Sequence, residues 1–342
     1  MKILAIESSC DETAASVSLD GRTILSDVVY SQADMHALYG GVVPEIASRK
    51  HIEKIGLVAE QALKAANLTM EDIDAVAAPC APGLIGALLV GANFAKACAQ
   101  ALDKPFIPVP HIRGHVAANY IAVPDLKPPV IALVASGGHT VILDVQDYTR
   151  IEVVGTTRDD AAGEAFDKTA RMLGLPYPGG ASLDKLAQQG TARAYRLPRA
   201  GVSGAPYDFS FSGLKTAAVN LIHNAQQKGL EINREDLALE IATAVADTVV
   251  PRVVAAAKER GRTAIAAAGG VAANSILRGM LQAQCEKAGL ALYLPPLKLC
   301  GDNGSMIACQ AYYEYLAGNT APVDQNCYAT MPAGMDFAAA EG

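Results

Sequence analysis

Two histidines stand four residues apart in the segment His111-Ile112-Arg113-Gly114-His115. On a helix this spacing places both imidazoles on one face, close enough to bind a single metal ion. No Glu follows the first histidine, so the segment is not the H-E-x-x-H motif of zinc proteases. Histidines also fall at this spacing by chance, and Gly114 weakens a helix. The spacing alone leaves a metal site and surface or capping histidines both open.

A carboxylate that could complete such a site is Asp302, in the segment CGDNGS just before a predicted helix. Its ordinary role would be to cap that helix. Two histidines and one carboxylate would leave coordination positions open for substrate, as catalytic iron or zinc sites do.

The elements around these residues follow a repeated pattern. Residues 2–6 read as a buried strand, residues 7–13 as a small polar loop and residues 14–19 as a second strand. Residues 130–135, 136–140 and 141–145 repeat this order of strand, loop and strand. Later in each half a short apolar strand, at 75–78 and 264–268, runs into a glycine-bearing turn and a helix. The repetition predicts two related α/β domains facing one cleft, with a nucleotide phosphate against the glycine loops.

A long amphipathic helix is predicted over residues 43–66, with Pro44 at its start and an apolar face of Ile52, Ile55, Val58 or Ala59, and Ala62. This face is either core or a surface that binds a partner helix, and the sequence leaves both open. Further helices are predicted at residues 163–173, 181–189, 214–227, 234–260 and 303–317. The tail after residue 318 is expected to be loosely ordered.

The composition indicates a cytoplasmic α/β protein. The chain has 342 residues, no readable export signal, and seven cysteines without a C-x-x-C pair. The uncharged stretch 75–95 is predicted to be a strand, a loop and a buried helix rather than a membrane span, because Pro and Gly interrupt it.

A net charge of −7 excludes a global attraction to nucleic acid. The densest local basic group is Arg193, Arg196, Arg199 and Lys215, which could equally be an ordinary solvated loop.

A series of segments resembles, in order and spacing, those that identify the bacterial branch of the TsaD family of tRNA N(6)-adenosine threonylcarbamoyltransferases. They cover nearly the whole chain. The segments are IESSCDET, YGGVVPEIASRKH, PGLIGALLVG, HIRGH, ASGGHT, DDAAGEAFDKTARMLGLPYPGG, DFSFSGLKT, AGGVAANS and CGDNGSMIA.

The resemblance implies the fold of the actin, hexokinase and Hsp70 (ASKHA) superfamily, with the nucleotide between two lobes. The lobes would be residues 1–125, with partner-binding helices near 43–66, and residues 126–300. A helix at 301–318 would return to the first lobe, before a loose tail at 319–342. The resemblance also implies that His111, His115 and Asp302 bind one divalent metal, usually iron, with zinc as an alternative. Asp11 and Glu12 match positions tied to catalysis. The positions matching the adenylate site are Val134, Ala135, Ser136, Gly137, Gly138, Asp167, Gly180, Asp184 and Asn274.

The implied activity is transfer of the threonylcarbamoyl group from threonylcarbamoyl-AMP to the adenosine beside the anticodon of tRNAs reading ANN codons. A TsaB-like paralogue and a TsaE-like ATPase would be partners, and no membrane is involved. The alternatives are an ATP-dependent kinase or ATPase of the same fold, and a non-catalytic TsaB-like scaffold, which lacks the metal set. The chain departs from the family at Arg113, where Glu is common, and at Ala81, where Gly is common. Arg113 cannot ligate a metal.

Overall fold

The computed structural model describes residues 1–199 and 201–340. The chain divides into two compact units: unit 1 consists of Met1–Pro128, Val145–Glu152 and the chain from Pro295 onward, and unit 2 of Pro129–Asp144 and Val153–Leu294. Residue 200 of the predicted second lobe and residues 341 and 342 of the predicted tail lie outside the described residues. The predicted lobe limits stay predictions.

The centre of unit 1 is a five-stranded sheet, whose strands are β1 (Lys2–Glu7), β2 (Glu12–Leu19), β3 (Thr23–Ser31), β4 (Ala75–Ala81) and β5 (Phe106–Pro110). Their order is β3-β2-β1-β4-β5, and β1 pairs antiparallel with β2 and parallel with β4. Leu4 and Ile6 pack into one core cluster, while Ile3 and Ala5 pack into another. Side chains alternate along a strand, so both faces of this sheet are buried.

Unit 2 holds a sheet of the same kind. Its strands are β6 (Val130–Ala135), β7 (Thr140–Val145), β8 (Ile151–Thr156), β11 (Ala264–Ala268) and β12 (Ala291–Tyr293), and a separate pair is formed by β9 (Gly201–Val202) and β10 (Ala205–Phe209). The order β8-β7-β6-β11-β12 matches that of unit 1, and β11 runs parallel to β6 and β12. The predicted duplication of an α/β domain is confirmed.

Helices cover both sheets. In chain order they are α1 (Ala33–Ala37), α2 (Pro44–Ala65), α3 (Ile85–Leu102), α4 (His111–Ala122), α5 (Ala162–Met172), α6 (Gly179–Ala187), α7 (Ser212–Gln227), α8 (Arg234–Glu259), α9 (Ser275–Ala288), α10 (Gly304–Leu316) and α11 (Phe337–Ala340). In unit 1, α2 and α3 pack on the face of Leu4, and α4 and α10 pack on the face of Ile3. The asparagines that precede α8, α9 and α10 each accept a hydrogen bond from a backbone N–H in the first turn.

The apolar face predicted for α2 is partly wrong. Ile55, Val58, Ala59 and Ala62 are buried, but Ile52 is 66% exposed. At 100° per residue, Ile52 lies at the edge of the face that those four define, so it projects beyond the core contact.

The segment that follows α10 packs on unit 1, and in this it differs from the loosely ordered tail that its composition predicts. The backbone N–H of Tyr328 donates to the carbonyl of Cys80 at 2.8 Å. Met331 and Phe337 are buried in the same core cluster as Leu4. These contacts join residues far apart in the chain, which a reading of local composition does not detect.

Helix α3 is long and apolar enough to cross a membrane by length and composition alone. Core helices of water-soluble proteins pass the same test. In this chain α3 buries Ala92, Ala95 and Ala99 in the core cluster of unit 1, next to β4. The strand, loop and helix predicted for residues 75–95 are therefore confirmed.

Candidate metal centre

The two histidines and Asp302 converge within unit 1. His111 is the first residue of α4, directly after β5, and His115 lies one turn further along. The Nε2 atoms of His111 and His115 lie 3.6 and 3.3 Å from Oδ1 of Asp302. One donor atom from each of the three residues falls within 4.8 Å of the others. Imidazole nitrogens with one carboxylate oxygen suit iron or zinc better than magnesium or calcium.

Close packing of α4 against α10 brings the ligands together. A Cβ atom at Gly114 would stand 2.8 Å from Cδ1 of Ile307 on α10, and one at Gly304 would stand 2.7 Å from the backbone of Ala15. Side chains at these two positions would push α10 away from α4 and from β2. Gly114 weakens the helix locally, but it allows the approach that places Asp302 beside the histidines.

The capping role considered for Asp302 belongs to its neighbour. Asn303 is the N-cap of α10, and its side-chain oxygen accepts a hydrogen bond from the backbone N–H of Met306 at 2.9 Å. The helix does not need the carboxylate of Asp302 for its cap, so the position of this carboxylate beside two imidazoles points to another role.

His111 is oriented by Glu7, a residue that sequence reasoning missed. Nδ1 of His111 lies 3.1 Å from Oε2 of Glu7 and 3.1 Å from the hydroxyl of Ser9. A ligating histidine commonly donates its other ring N–H to a carboxylate in this way, which leaves Nε2 for the metal. The sequence signal for Glu7 is a charge directly after the apolar run of residues 3–6, and Glu7 is 0% exposed.

The charges around His111 favour a cation. Burial opposes the protonated form, but the carboxylates of Glu7 and Asp302 outweigh this effect and raise the pKa of His111 to about 9. A field that holds a proton on a buried imidazole also favours a divalent ion at the same place.

His115 gives the clearest test of whether the residues fit a metal. Both of its ring nitrogens are buried, and neither makes a hydrogen bond within the described part of the chain. A buried polar atom without a hydrogen bond is costly, and coordination of an ion by that atom removes the cost. The donors therefore fit a bound metal ion.

The loop between β1 and β2 carries Asp11 and Glu12 in the same unit. Asp11 is buried, and the hydroxyl of Ser31 donates to Oε1 of Glu12 at 3.1 Å. Burial, followed by the negative charges of Asp11 and Asp302, raises the pKa of Glu12. Glu12 therefore retains its proton at neutral pH when no cation is nearby.

The residues that match the adenylate site all lie in unit 2. Asp167 accepts hydrogen bonds from the backbone N–H groups of Gly179 and Gly180, at 2.9 and 3.2 Å. Asp184 accepts from the backbone N–H and the hydroxyl of Ser275, at 3.0 and 2.7 Å. These bonds fix the first turn of α6 and join α6 to the start of α9.

The remaining residues of this set differ in what they can offer a ligand. The side chains of Val134 and Ala135 are buried in β6, so only their backbone is available. Gly137 and Gly138 are exposed in the turn that follows. Asn274 caps α9 through its oxygen, while its Nδ2 is buried without a hydrogen bond inside the described ranges.

Arg113 does not place a positive charge among the metal ligands. Its guanidinium is 1% exposed and pairs with Glu314 at 3.2 Å and Asp336 at 2.6 Å. Glu314 also accepts hydrogen bonds from Gln310 and Asn319. Arg113 thus links α4 to α10 and to the C-terminal segment.

Half of the basic group considered for nucleic-acid binding is already paired. Arg199 forms ion pairs with Glu240 and with Asp247, the latter at 2.9 Å, and Lys215 pairs with Asp160. Because each of these two side chains already pairs with a carboxylate, it is less available to bind a phosphate group of a nucleic acid.

Solved structures show the fold class. HypF of T. kodakarensis matches with a TM-score of 0.63 at 17% identity, over 93% of this chain and 48% of that chain. The (R)-2-hydroxyglutaryl-CoA dehydratase component A of Acidaminococcus fermentans matches with a TM-score of 0.56 at 16% identity, over 93% and 98%. With its two sheets of equal strand order, the chain is an α/β protein of the actin, hexokinase and Hsp70 class.

Sequence comparison is more specific. Residues 23–309 match the family model described as TsaD: tRNA N6-adenosine threonylcarbamoyltransferase. Enzymes of that name from Clostridium botulinum (strain 657 / Type Ba4) and Moorella thermoacetica are 50% and 51% identical, over 98% and 96% of both chains. The chain belongs to the TsaD family of tRNA N6-adenosine threonylcarbamoyltransferases. It is a transferase that modifies adenosine in tRNA.

Proposed function

We propose that the chain transfers the threonylcarbamoyl group of threonylcarbamoyl-AMP to the N6 amine of the adenosine beside the anticodon, in tRNAs that read ANN codons. The amine nitrogen forms a bond to the carbamoyl carbon, AMP leaves, and the amine loses one proton. The observation that carries this proposal is the convergence of His111, His115 and Asp302 in unit 1, in a chain of this family.

The three ligands hold one divalent ion in this proposal, Fe²⁺, with Zn²⁺ as the alternative. When bound, the ion supplies positive charge that stabilises developing charge on an oxygen of the threonylcarbamoyl group. Glu7 and Ser9 keep the ring of His111 in the orientation that presents Nε2. Neither a kinase nor a TsaB-like scaffold explains why two buried imidazoles face one carboxylate.

The AMP portion is bound by residues of unit 2. Gly137 and Gly138 offer a backbone without side chains, which a phosphate can approach closely. The buried Nδ2 of Asn274 makes no hydrogen bond in the described chain and supports a contact with a ligand. Asp167 and Asp184 hold the surrounding helix starts in place.

The amine is a weak nucleophile, so the enzyme's main task is to position it. One of the two neighbouring carboxyls of the loop, Asp11 or Glu12, accepts the amine proton, and the other orients the substrate. The target base lies in a single-stranded loop, so exposing it costs less than extracting a base from a duplex.

The chain is acidic, so tRNA binding requires other proteins, and we propose a TsaB-like paralogue and a TsaE-like ATPase as cytoplasmic partners.

An exposed apolar surface supports binding of the TsaB-like paralogue. It is formed by Ile52 on α2 and by Ile85 and Leu89 on α3, which are 42–66% exposed. The two helices pack closely, since a Cβ at Gly86 would stand 2.5 Å from the hydroxyl of Ser48. Exposed apolar side chains on paired helices fit a partner with a similar helix pair.

Replacing Ile52 with Asp is expected to weaken binding of the TsaB-like paralogue by about tenfold or more, because a charge would be buried in the apolar contact. Calorimetric titration measures this change. Leu230→Asp, at an exposed leucine of unit 2, is the matched control and should bind like the wild type. Equal affinities for Ile52→Asp and the wild type would place the partner elsewhere.

The function itself is tested by incubating the chain and its partners with threonylcarbamoyl-AMP and a tRNA transcript. We expect one modified adenosine per AMP released, and no reaction with a transcript that has guanosine at that position. Chelation should stop the reaction, and added Fe²⁺ or Zn²⁺ should restore it. Transfer that continues in protein shown to contain no metal would contradict the proposal. ATP hydrolysis by the chain alone, in a separate assay without its partners and without a modified nucleoside, would favour a kinase or ATPase.

A further inference from the structure

A buried histidine connects α2 to the loop that carries Asp11 and Glu12. His51 is 0% exposed, and its Nε2 lies 2.9 Å from the carbonyl oxygen of Cys10. Its Nδ1 lies 2.7 Å from the hydroxyl of Thr13. Because a carbonyl only accepts, Nε2 carries the proton and Nδ1 accepts from Thr13. Burial lowers the pKa of His51, which agrees with a neutral ring that donates on one side and accepts on the other.

The neighbouring segment holds the rest of this loop. The backbone N–H of Gln32 donates to the carbonyl of Asp11 at 3.1 Å, and the hydroxyl of Ser31 donates to Glu12. The side chain of Gln32 continues inward, and its Oε1 accepts from Nε2 of His36 at 3.2 Å. Nδ1 of His36 in turn accepts from the backbone N–H of Val43, immediately before α2. Each residue from Cys10 to Thr13 therefore bonds to α2 or to the segment that leads into it.

The loop needs such support. Asp11 and Glu12 are adjacent carboxyls, and they share their surroundings with Asp302. Burial raises the pKa of Glu12 and the charges of Asp11 and Asp302 raise it further, so the three carboxyls lie close enough to disfavour charge on one another, and hydrogen bonds to the backbone keep the loop in this arrangement. The imidazole of His51 is the side chain that reaches from α2 to this backbone, at the carbonyl directly before Asp11.

We propose that His51 is a positioning residue for the transfer reaction: its hydrogen bond to the Cys10 carbonyl fixes the placement of Asp11 and Glu12 relative to α2. The inference rests on the function proposed for those two carboxyls. His51 touches neither substrate nor metal ligand in this account, and it acts only through the loop. The same helix exposes Ile52, so a partner bound there would pack one residue away from this hydrogen bond.

Two substitutions separate this role from a general contribution to the core. In His51→Gln the amide nitrogen replaces Nε2 and keeps the bond to Cys10, whereas in His51→Asn the shorter side chain reaches only Thr13. A displacement of about 1 Å in a reacting group can cost about a hundredfold in rate. We expect His51→Asn to lower kcat by about 10- to 100-fold with KM for tRNA unchanged, and His51→Gln to stay within about threefold of the wild type. Equal losses in the two variants would overturn the inference.

A second readout does not depend on catalysis. Cys10 lies in the loop, so its alkylation by iodoacetamide, measured by peptide mass spectrometry against Cys98 on α3, reports how firmly the loop is held. Alkylation of Cys10 should be about tenfold faster in His51→Asn and unchanged in His51→Gln, as expected for a local opening. Unchanged alkylation in a folded His51→Asn would overturn the inference. If that variant does not fold, Thr13→Val, which removes the hydroxyl that donates to Nδ1 of His51, should also speed alkylation, and no change would again count against the inference. A wild-type chain without transfer activity would contradict the proposed function, and the alkylation rates would still decide the role of His51.

Discussion

Replacing His115 with alanine is expected to lower kcat for threonylcarbamoyl transfer by at least about a hundredfold, because the metal loses one of three ligands. The ring nitrogens of His115 make no hydrogen bond within the described residues, so the change removes no structural hydrogen bond. The assay is the formation of modified nucleoside, with the metal content measured on the same sample.

The control for this variant is His223→Ala, which removes an exposed histidine of α7 and should leave both the rate and the metal content unchanged. Circular dichroism establishes that His115→Ala is folded at the assay temperature. A folded His115→Ala enzyme with the wild-type rate would show that the histidine pair is not part of the catalytic centre.

Replacing Arg113 with alanine is expected to lower the free energy of unfolding by about 3–5 kcal/mol, as when one partner of a buried ion pair is removed. Glu314, which is 2% exposed, would be left buried without its cation, and the C-terminal segment would lose its bond through Asp336. Urea denaturation followed by circular dichroism measures the change.

Arg49→Ala is the matched control, because Arg49 forms an exposed pair with Glu45 on α2, and we expect a loss of at most about 0.5 kcal/mol there. The double variant Arg113→Met and Glu314→Gln should recover part of the lost stability, since neither residue then carries a buried charge. A loss of less than about 1 kcal/mol in Arg113→Ala would contradict the role assigned to this ion pair.

The buried strands and long helices could be predicted from the sequence because local patterns define them. The apolar runs of β1, β6 and β11 and the capped helices α8 and α10 agree with their predicted positions. Strand β3 was missed, because its exposed and buried residues mix polar and apolar types. The contacts of the C-terminal segment were missed as well, since they depend on residues of β4 and α4 that are distant in the chain.

At the candidate site, too, contacts between residues distant in the chain could not be predicted from local patterns. The spacing of His111 and His115 indicated a possible ligand pair, and Asp302 was a possible third ligand, but only the family resemblance implied that the three bind one metal ion. Glu7 lies in the first matching segment, but no role was assigned to it, because a charge at the end of an apolar run does not show which side chain it will contact. The ion pair of Arg113 with Glu314 could not be predicted from the sequence either, since Glu314 lies on another helix.

In the function proposed here, His111, His115 and Asp302 together hold one metal ion. The most direct test is anomalous X-ray diffraction from crystals of the purified chain, measured on both sides of the iron and zinc absorption edges. We expect one anomalous peak per chain, bonded to these three side chains. A well-ordered site with no peak after metal loading, or a peak bound by other residues with Asp302 turned away from the histidines, would contradict it.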